Sequence, residues 1–241
     1  MYNNVMDRIL LERFSKNSPA QNKRIRQDPK LAEKIFKISF KKKFLQDYYF
    51  WDNTTVSIKS PLLDFVKDGM KILEIGTGPS STLSRFLAKH KSNLSITATD
   101  ISKNFLYTAS MYSSCPETNS IIKYIHTNLT SNLNDTYNLI FMNPPYVSST
   151  DLNSIGIYEG SAEYQAGFGG LDGGTVIAEF LKQCPKVLEK NGTVILGINN
   201  RYFPDSEVMK LIKSSELYLL RRHYKKSEVP PFSQVYIMKK Q

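Results

Sequence analysis

Residues 71–81 read KILEIGTGPSS, an apolar run that passes directly into a glycine-containing turn. Short apolar runs bounded by turn residues are typical of buried strands. Glycine lets the chain turn tightly and lets the backbone approach a ligand, because no Cβ intervenes. The segment therefore predicts a strand over 71–75, a helix over 80–90, and between them a turn that either faces a ligand or only connects the two elements. The turn residues are Gly76, Thr77, Gly78 and Ser80, with the carboxylate of Glu74 beside them.

A second strand candidate, 94–99, is followed by Asp100. A carboxylate at the end of the second strand can accept hydrogen bonds from both hydroxyl groups of a ribose. Taken alone, an aspartate at this position more often caps the next helix. Together with the glycine turn it indicates a nucleoside cofactor, without separating a nicotinamide cofactor from S-adenosylmethionine.

From residue 61 onward, short apolar runs alternate with helical stretches. Strands are predicted at 71–75, 94–99, 121–125, 138–142, 193–198, 217–222 and 234–238. Helices are predicted at 61–67, 80–90, 103–113, 173–189 and 205–214. This alternation predicts an α/β, Rossmann-like fold, in which helices cover both faces of a mostly parallel sheet. Ligands of such sheets bind beyond the carboxyl ends of the strands.

The first 60 residues follow another pattern. Amphipathic helices are predicted at 2–16 and from Asp28-Pro29, an N-cap followed by proline, to about Phe44. The stretch YYFWDNTTVSI, which begins at residue 48, predicts an extended or hairpin connector. We therefore divide the chain into a basic helical region (1–47), a connector (48–60) and the main domain (61–241).

Positive charge is concentrated in the first region. The net charge is +10, and residues 1–50 hold twelve Lys/Arg against five Asp/Glu. A second basic cluster comprises Arg221, Arg222, Lys225 and Lys226. Such surfaces suit RNA, a ribosome or an acidic protein, although a solvated basic face without a partner stays open. We expect the basic N-terminal region to contact a macromolecular substrate.

Composition predicts a cytoplasmic protein with no membrane association and no metal site. The chain is 41% hydrophobic and 12% aromatic, which suffices for a core. No segment reaches the roughly 18 to 20 apolar residues of a membrane span. Asp7 and Glu12 interrupt the stretch where a signal peptide would be apolar. Cys115 and Cys184 fit neither a disulfide framework nor a zinc spacing, and the three histidines are scattered.

The residues Asn143-Pro144-Pro145-Tyr146 follow the strand candidate NLIFM directly. Two prolines fix two φ angles and remove two donors, which leaves carbonyl oxygens on a stiff turn. The side chains of Asn143 and Tyr146 add an acceptor and an aromatic face, so the turn could grip a planar –NH2 group. Such a group would be oriented for attack on an electrophilic methyl carbon, with catalysis by orientation and electrostatics. The alternative is a rigid turn without a catalytic role.

The segments EIGTGPS and NPPYV, with Asp100 between them in the chain, resemble those of a class I S-adenosylmethionine-dependent methyltransferase of the amino-methylating kind. Glu159 and the run GGLDG at 169–173 further resemble the glutamine methyltransferases that modify translation release factors, the HemK/PrmC group. The resemblance implies a class I methyltransferase fold with seven strands, a small helical region at the N-terminus, and S-adenosylmethionine as cofactor.

The resemblance also implies roles for single residues. The implied cofactor-binding residues are Glu74, Gly76, Thr77, Gly78, Ser80, Asp100, Ile101, Asn128 and Asn143. The implied catalytic residues are Asn143, Pro144, Pro145 and Tyr146. In this scheme Asp100 binds the ribose, Asn128 flanks the adenine, and Asn143 touches both cofactor and acceptor.

Three functions remain open from the sequence. The favoured one is methylation of a glutamine side chain, most simply in a release factor, because of the GGLDG run. The second is methylation of the exocyclic amine of adenine in ribosomal or transfer RNA, which the basic N-terminal region favours. The third is a catalytically inactive protein of the same fold that serves as a partner subunit or a scaffold.

Overall fold

The computed structural model describes residues 28–39, 51–111, 118–224 and 232–241. In these ranges seven strands form one sheet, with the spatial order β3-β2-β1-β4-β5-β7-β6. The strands are β1 (Lys71–Ile75), β2 (Ser95–Asp100), β3 (Ile121–His126), β4 (Tyr137–Met142), β5 (Leu188–Asn199), β6 (Leu217–Tyr224) and β7 (Ser233–Lys240). Strands β1 to β5 pair in parallel, and β7 runs antiparallel to both β5 and β6. The predicted seven-stranded, mostly parallel sheet is confirmed.

Helices cover both faces of this sheet. They are α1 (Pro29–Phe36), α2 (Asn53–Phe65), α3 (Thr82–His90), α4 (Lys103–Ser110), α5 (Ser149–Ser154), α6 (Ala162–Gly167), α7 (Thr175–Gln183) and α8 (Asp205–Lys213), with a 3-10 turn at Cys184–Val187. Alternate strand residues enter two separate apolar cores. In β4, Leu139 and Phe141 join the core with α1 to α3, whereas Ile140 and Met142 join the core with α7 and α8. This alternation follows from the two-residue period of a strand.

The predicted extended connector at 48–60 is wrong over residues 53–60, because these residues and most of the predicted helix at 61–67 form one helix, α2. The β-branched residues of TTVSI favour a strand. The N-cap Asp52 outweighs that preference, since it forms a reciprocal capping box with Thr55. The helix then packs tightly on β5: a Cβ at Gly197 would lie 2.5 Å from Ile58 Cδ1. Burial against the sheet thus overrides local propensity.

Other boundaries also differ from the sequence prediction. Helix α1 ends at Phe36 rather than near residue 44, because Lys37 adopts a left-handed conformation with φ of 58°. The predicted helix at 173–189 divides into α7, the 3-10 turn and the start of β5. Pro185 lies in that turn and cannot donate the hydrogen bond that a continuing helix would need. The predicted helix at 2–16 lies outside the described residues.

The front helix α1 is docked on the domain by apolar packing and one buried lysine. Ile35 and Phe36 belong to the same core as α2 and α3. The ammonium group of Lys59 donates to the carbonyl of Ile35 at 2.6 Å, at the C-terminal end of α1. It also lies 5.2 Å from the ring centroid of Phe36.

The strand register brings the three predicted site segments to one edge. Ile75, the last residue of β1, pairs with Thr99 on one side and Met142 on the other. The next residue along each of these strands belongs to the glycine turn, the acidic strand end or the NPPY segment. Since neighbouring strands lie about 4.8 Å apart, the three segments are adjacent.

Within the described ranges, no helix is long and apolar enough to cross a membrane.

Candidate active site at the carboxyl ends of the strands

The glycine turn adopts backbone conformations that favour glycine. Gly76 and Gly78 have φ of 71° and 66°, in the left-handed region that side chains with a Cβ seldom occupy. Between them, the amide of Thr77 donates to the carbonyl of Thr99 at 2.8 Å. The turn is therefore tied to the end of β2, with exposed backbone towards the sheet edge.

The carboxylate of Glu74 lies beneath this turn and is 4% exposed. Its Oε2 accepts hydrogen bonds from Thr77 Oγ1 at 2.7 Å and from Ser84 Oγ. Burial raises the pKa of Glu74 to about 7, although both hydroxyl donors oppose the shift. Glu74 therefore joins the turn to α3, a bracing role in addition to the predicted contact with the cofactor.

The residues before α3 orient its N-terminus towards the turn. Ser81 is the N-cap and has φ of 47°. The hydroxyl of Ser80 is buried against Thr82 Oγ1 at 2.6 Å. The predicted contact of Ser80 with a cofactor would therefore come from its backbone, at a helix end that favours a negatively charged group.

Asp100 terminates β2 beside the glycine turn. Its Oδ2 accepts from the amide of Gly78 and its Oδ1 from the amide of Ser102, each at 2.9 Å. The N-cap of α4 is Ser102, so the alternative of Asp100 as a simple helix cap is wrong. Burial raises the pKa of Asp100, and the backbone donors oppose that shift. Each carboxylate oxygen can accept more than one hydrogen bond, which leaves capacity for two ribose hydroxyls.

Two further predicted residues lie next to Asp100 at the same edge. Ile101 is 59% exposed and offers an apolar surface. Asn128 is exposed, two residues after β3, and its carbonyl accepts from Ser131. Thr127, which the sequence analysis missed, is buried, and its hydroxyl has no partner in the part of the chain described.

The side-chain amide of Asn143 is hydrogen-bonded within the described structure through its nitrogen but not through its oxygen. Its Nδ2 donates to Thr55 Oγ1 at 3.1 Å and to Asp52 Oδ1 at 3.3 Å. Its Oδ1 is buried, and among the described residues it has no hydrogen-bond partner. Because a buried acceptor without a donor is costly, this atom marks a position where a ligand N–H would be favourable.

Tyr146 is packed inside the protein rather than open to the solvent. It is 6% exposed, and its hydroxyl donates to Asp52 Oδ2 at 2.8 Å and lies 3.1 Å from Thr54 Oγ1. Its ring stacks with Tyr202 at 6.5 Å between centroids. The hydroxyl anchors the turn, whereas the predicted stacking on an acceptor stays a prediction. The prolines between Asn143 and Tyr146 are partly or fully buried.

The glycine-rich run after residue 168 braces the NPPY segment. A Cβ at Gly169 would lie 2.8 Å from both Pro145 O and Tyr146 Cα, and one at Gly173 would lie 2.5 Å from Tyr146 O. The backbone of Gly169 also donates to Val147 O at 3.0 Å. These residues must be glycines because two backbones lie in contact. Glu159, from the same resemblance, is exposed in the turn before α6.

The residues at this edge fit S-adenosylmethionine. A turn without Cβ atoms, a helix N-terminus and a carboxylate with spare acceptor capacity suit the methionine and ribose parts of that molecule. The open Oδ1 of Asn143 lies beyond them, one residue past the pair Ile75 and Met142. This arrangement can hold a cofactor and a planar amino group side by side.

Sequence reasoning missed three side chains that form hydrogen bonds with the NPPY segment: Asp52, Thr54 and Thr55. They lie 88 to 94 residues earlier in the chain, on the helix that was predicted as a connector. The D-x-x-T spacing of Asp52 and Thr55 is a helix-start signal and could have revealed them.

Comparison with known proteins supports the same interpretation. Residues 59–157 match the family model described as methyltransferase small domain. The chain is 31% identical over 136 residues to a release factor glutamine methyltransferase of Lactococcus lactis, covering 55% of this chain and 48% of that protein. It is 26% identical over 148 residues to a ribosomal protein uL3 glutamine methyltransferase of Francisella tularensis, covering 60% and 46%. The chain thus spans about half the length of these relatives.

A crystal structure of a methyltransferase from Pyrococcus furiosus shares the fold, with a TM-score of 0.60, 19% identity and coverage of 98% of both chains. The resemblance predicted from the motifs is thereby confirmed for residues 59–157, as is the class I methyltransferase fold. The predicted class of enzyme, with S-adenosylmethionine as cofactor, agrees with this match.

Proposed function

We propose that this protein is an S-adenosylmethionine-dependent methyltransferase that methylates the side-chain amide nitrogen of a glutamine in a protein such as a translation release factor. The observation that carries the proposal is the buried Oδ1 of Asn143, whose opposite end is held by Asp52 and Thr55. An open acceptor beside a cofactor-binding edge is what a planar –NH2 group requires.

In this mechanism the protein orients the acceptor and stabilises charge. When bound, S-adenosylmethionine would supply an electrophilic methyl carbon; its sulfur would keep the electron pair of the broken bond, and the acceptor nitrogen would release a proton to the solvent. Asn143 Oδ1 accepts one N–H of the acceptor amide. The second acceptor in this proposal is the carbonyl of Pro144. The carbonyl of Pro145 is not available for this role, because it faces Gly169. Two fixed acceptors hold the nitrogen in line and stabilise the positive charge that develops on it.

Asp100 holds the ribose in this scheme, and Gly76 and Gly78 the methionine part. Both glycines expose backbone at the same edge as Asn143. The predicted contacts of Ile101 and Asn128 with the adenine belong to the same proposal.

Two observations support a glutamine acceptor over adenine. Several of the relatives are named glutamine methyltransferases, of a release factor or of a ribosomal protein. Enzymes that act on a nucleobase hold it by stacking on aromatic side chains. The ring of Tyr146 is 6% exposed and packed against Tyr202, so it offers little surface to a purine.

The basic region 1–47 belongs to the proposal as a contact for a macromolecular substrate in the cytoplasm; most of it lies outside the described residues. The second basic cluster is less available than the sequence suggested. Arg221 pairs with Asp64 at 2.9 Å, and Arg222 pairs with Asp205 at 2.8 Å. Lys225 and Lys226 lie outside the described residues.

The test supplies purified protein with methyl-labelled S-adenosylmethionine and, in parallel, a release factor, a ribosomal protein fraction or total RNA. We expect label in protein, and a shift of one methyl group on a glutamine-containing peptide by mass spectrometry. Label confined to RNA would contradict the glutamine acceptor, and label in none of the three would contradict the proposed activity.

A further inference from the structure

Asp52 connects the two polar side chains of the NPPY segment. Its carboxylate accepts from Tyr146 OH at 2.8 Å through Oδ2 and from Asn143 Nδ2 at 3.3 Å through Oδ1. Both donors lie more than 90 positions away in the sequence. A single half-buried carboxylate therefore sets the orientation of both side chains.

The carboxylate of Asp52 is itself held in place by α2. It accepts from the amide of Thr55 at 2.7 Å and from Thr55 Oγ1 at 2.8 Å, and Thr55 Oγ1 accepts from the amide of Asp52 at 3.1 Å. This capping box fixes the side chain at the start of a helix packed on the sheet. A group with locked geometry can orient its neighbours within a few tenths of an ångström.

The hydrogen bonds to Asp52 and Thr55 determine which atom of the Asn143 amide faces the acceptor site. An amide can present either oxygen or nitrogen to a ligand, and the two arrangements have opposite hydrogen-bonding character. Because Asp52 and Thr55 offer acceptors, they bind the –NH2 end and leave Oδ1 towards the acceptor site. A donor bond to a carboxylate also polarises the amide, which strengthens Oδ1 as an acceptor.

We propose that Asp52 is a positioning residue for methyl transfer, which fixes the amide orientation of Asn143 and anchors Tyr146. The inference rests on the proposed function, because the reaction is the one that the Asn143 acceptor serves. Asp52 touches neither cofactor nor acceptor in this scheme, so its effect is on the rate constant rather than on binding.

The experiment compares Asp52→Asn with Asp68→Asn. Asparagine caps helices as well as aspartate does, so Asp52→Asn keeps α2 and an oxygen at the position of Oδ1. Its –NH2 group replaces Oδ2, so the Tyr146 hydroxyl loses its acceptor and the Asn143 amide loses the charged partner that polarises and orients it. Asp68 is exposed, accepts from the amide of Ser92 at 2.8 Å and precedes β1 at the opposite edge of the sheet, which makes it a matched control for loss of charge. Each variant is measured for Tm, cofactor Kd, and kcat and KM for the protein acceptor.

We expect Asp52→Asn to lower kcat roughly ten- to a hundredfold, as misoriented catalytic groups do, with Tm, cofactor Kd and acceptor KM close to the parent values. Asp68→Asn should match the parent throughout. Unchanged kcat in Asp52→Asn would overturn the positioning role, and so would an equal loss in the control.

A spectroscopic measurement separates this inference from the proposed function. The side-chain amide protons of Asn143, assigned by comparison with Asn143→Asp, report the bond to Asp52 in 15N-labelled protein without turnover. We expect their chemical shifts to change in Asp52→Asn and to stay in Asp68→Asn. If the parent methylates no acceptor, the proposed function fails, and these shifts still decide whether Asp52 orients Asn143.

Discussion

Asp100 shows how much one side chain can do at the end of a strand. Its two oxygens accept the amides of Gly78 and Ser102, which fixes the carboxylate beside the glycine turn. The same oxygens keep lone pairs for the hydroxyl groups of a nucleoside. If Asp100 binds the ribose as proposed, the backbone on both sides already holds its carboxylate in place.

Substitution of Asp100 by asparagine tests this role. The variant loses the charge-assisted hydrogen bonds between the Asp100 carboxylate and the ribose. Such a bond contributes about 1.5 to 3 kcal/mol, so binding of S-adenosylmethionine should weaken about ten- to a hundredfold. Isothermal titration calorimetry measures the change, with Asp135→Asn at an exposed position as the control. An unchanged Kd in Asp100→Asn would mean that the carboxylate only organises the backbone.

Glu74 should make stability depend on pH. Its pKa in the folded protein is about 7 against 4.5 for an ordinary glutamate, because it is buried. The folded state therefore retains a proton that the unfolded chain has lost between these values, and stability falls as the pH rises from about 4.5 to 7. The free energy of unfolding falls by on the order of 3 kcal/mol over this range, and above pH 7 Glu74 causes no further decrease.

Urea unfolding of the parent and of Glu74→Gln at pH 5 and pH 8 measures this contribution. Glutamine does not titrate, so the variant should not lose stability as the parent does when the pH rises. We therefore expect the free energy of unfolding of the variant, relative to that of the parent, to be higher at pH 8 than at pH 5. The same substitution at Glu207, on the surface of α8, controls for loss of a charge. A difference between parent and Glu74→Gln that is independent of pH would contradict the raised pKa.

Some residues of the site are readable from the sequence because they lie in contiguous motifs. The glycine turn, Asp100 and the NPPY segment each follow a strand, and strand ends meet at one edge of a parallel sheet. The spacing of Asp52 and Thr55 indicates only the start of a helix, and their contacts with Asn143 depend on how α2 packs. The orientation of the Asn143 amide is likewise a result of tertiary structure.

Among the elements, α2 illustrates where local propensity fails. Thr54, Thr55 and Val56 are β-branched and favour a strand in isolation. In the protein they are buried in a helix that begins with a capping box and lies on β5 and β7. Packing of an apolar face commonly supplies most of the stability of a helix, so sequence preference over a few residues is a weak guide.

The glycine-rich run is an element whose role lies in close backbone contact. We expect Gly169→Ala to lower stability by about 1 to 3 kcal/mol, the usual cost of overpacking, and to reduce turnover by displacing the NPPY segment. The new Cβ would meet backbone atoms of Gly173 and Pro145 at 2.6 and 2.8 Å, and backbone cannot move away as a side chain can. Chemical unfolding and a methylation assay measure both effects.

Gly167→Ala is the matched control for that substitution. A Cβ there would meet only the end of the Leu152 side chain, at 3.2 Å, within the described structure. We expect near-parent stability and turnover from this variant. If Gly169→Ala behaved in the same way, the brace between the glycine run and the NPPY segment would be refuted.

At the scale of the whole molecule, the architecture was predictable because the hydrophobic pattern repeats. All seven strands were anticipated, with ends displaced by a few residues, since each is a short apolar run between turn residues. The strand order is not written in any single run and required the structure. The docking of α1 through Lys59 was also beyond pattern reasoning, because a buried lysine is unusual.

In the proposed function, the fold brings the cofactor-binding edge of the sheet and the unpaired Oδ1 of Asn143 together. Strand register sets their spacing, α2 sets the orientation of Asn143, and the glycine run supports the turn from the other side. The proposed function therefore depends on one amide oxygen, that of Asn143, which has no hydrogen-bond partner among the described residues.

The most direct test is a single-turnover measurement of methyl transfer to a release factor at saturating cofactor, with parent protein and Asn143→Ala. We expect the parent to transfer one methyl group to glutamine, and the variant, with unchanged Tm, to be slower on the order of a hundredfold or more, the usual effect of removing a preorganised hydrogen-bonding group. Transfer by Asn143→Ala at the parent rate would contradict the central claim.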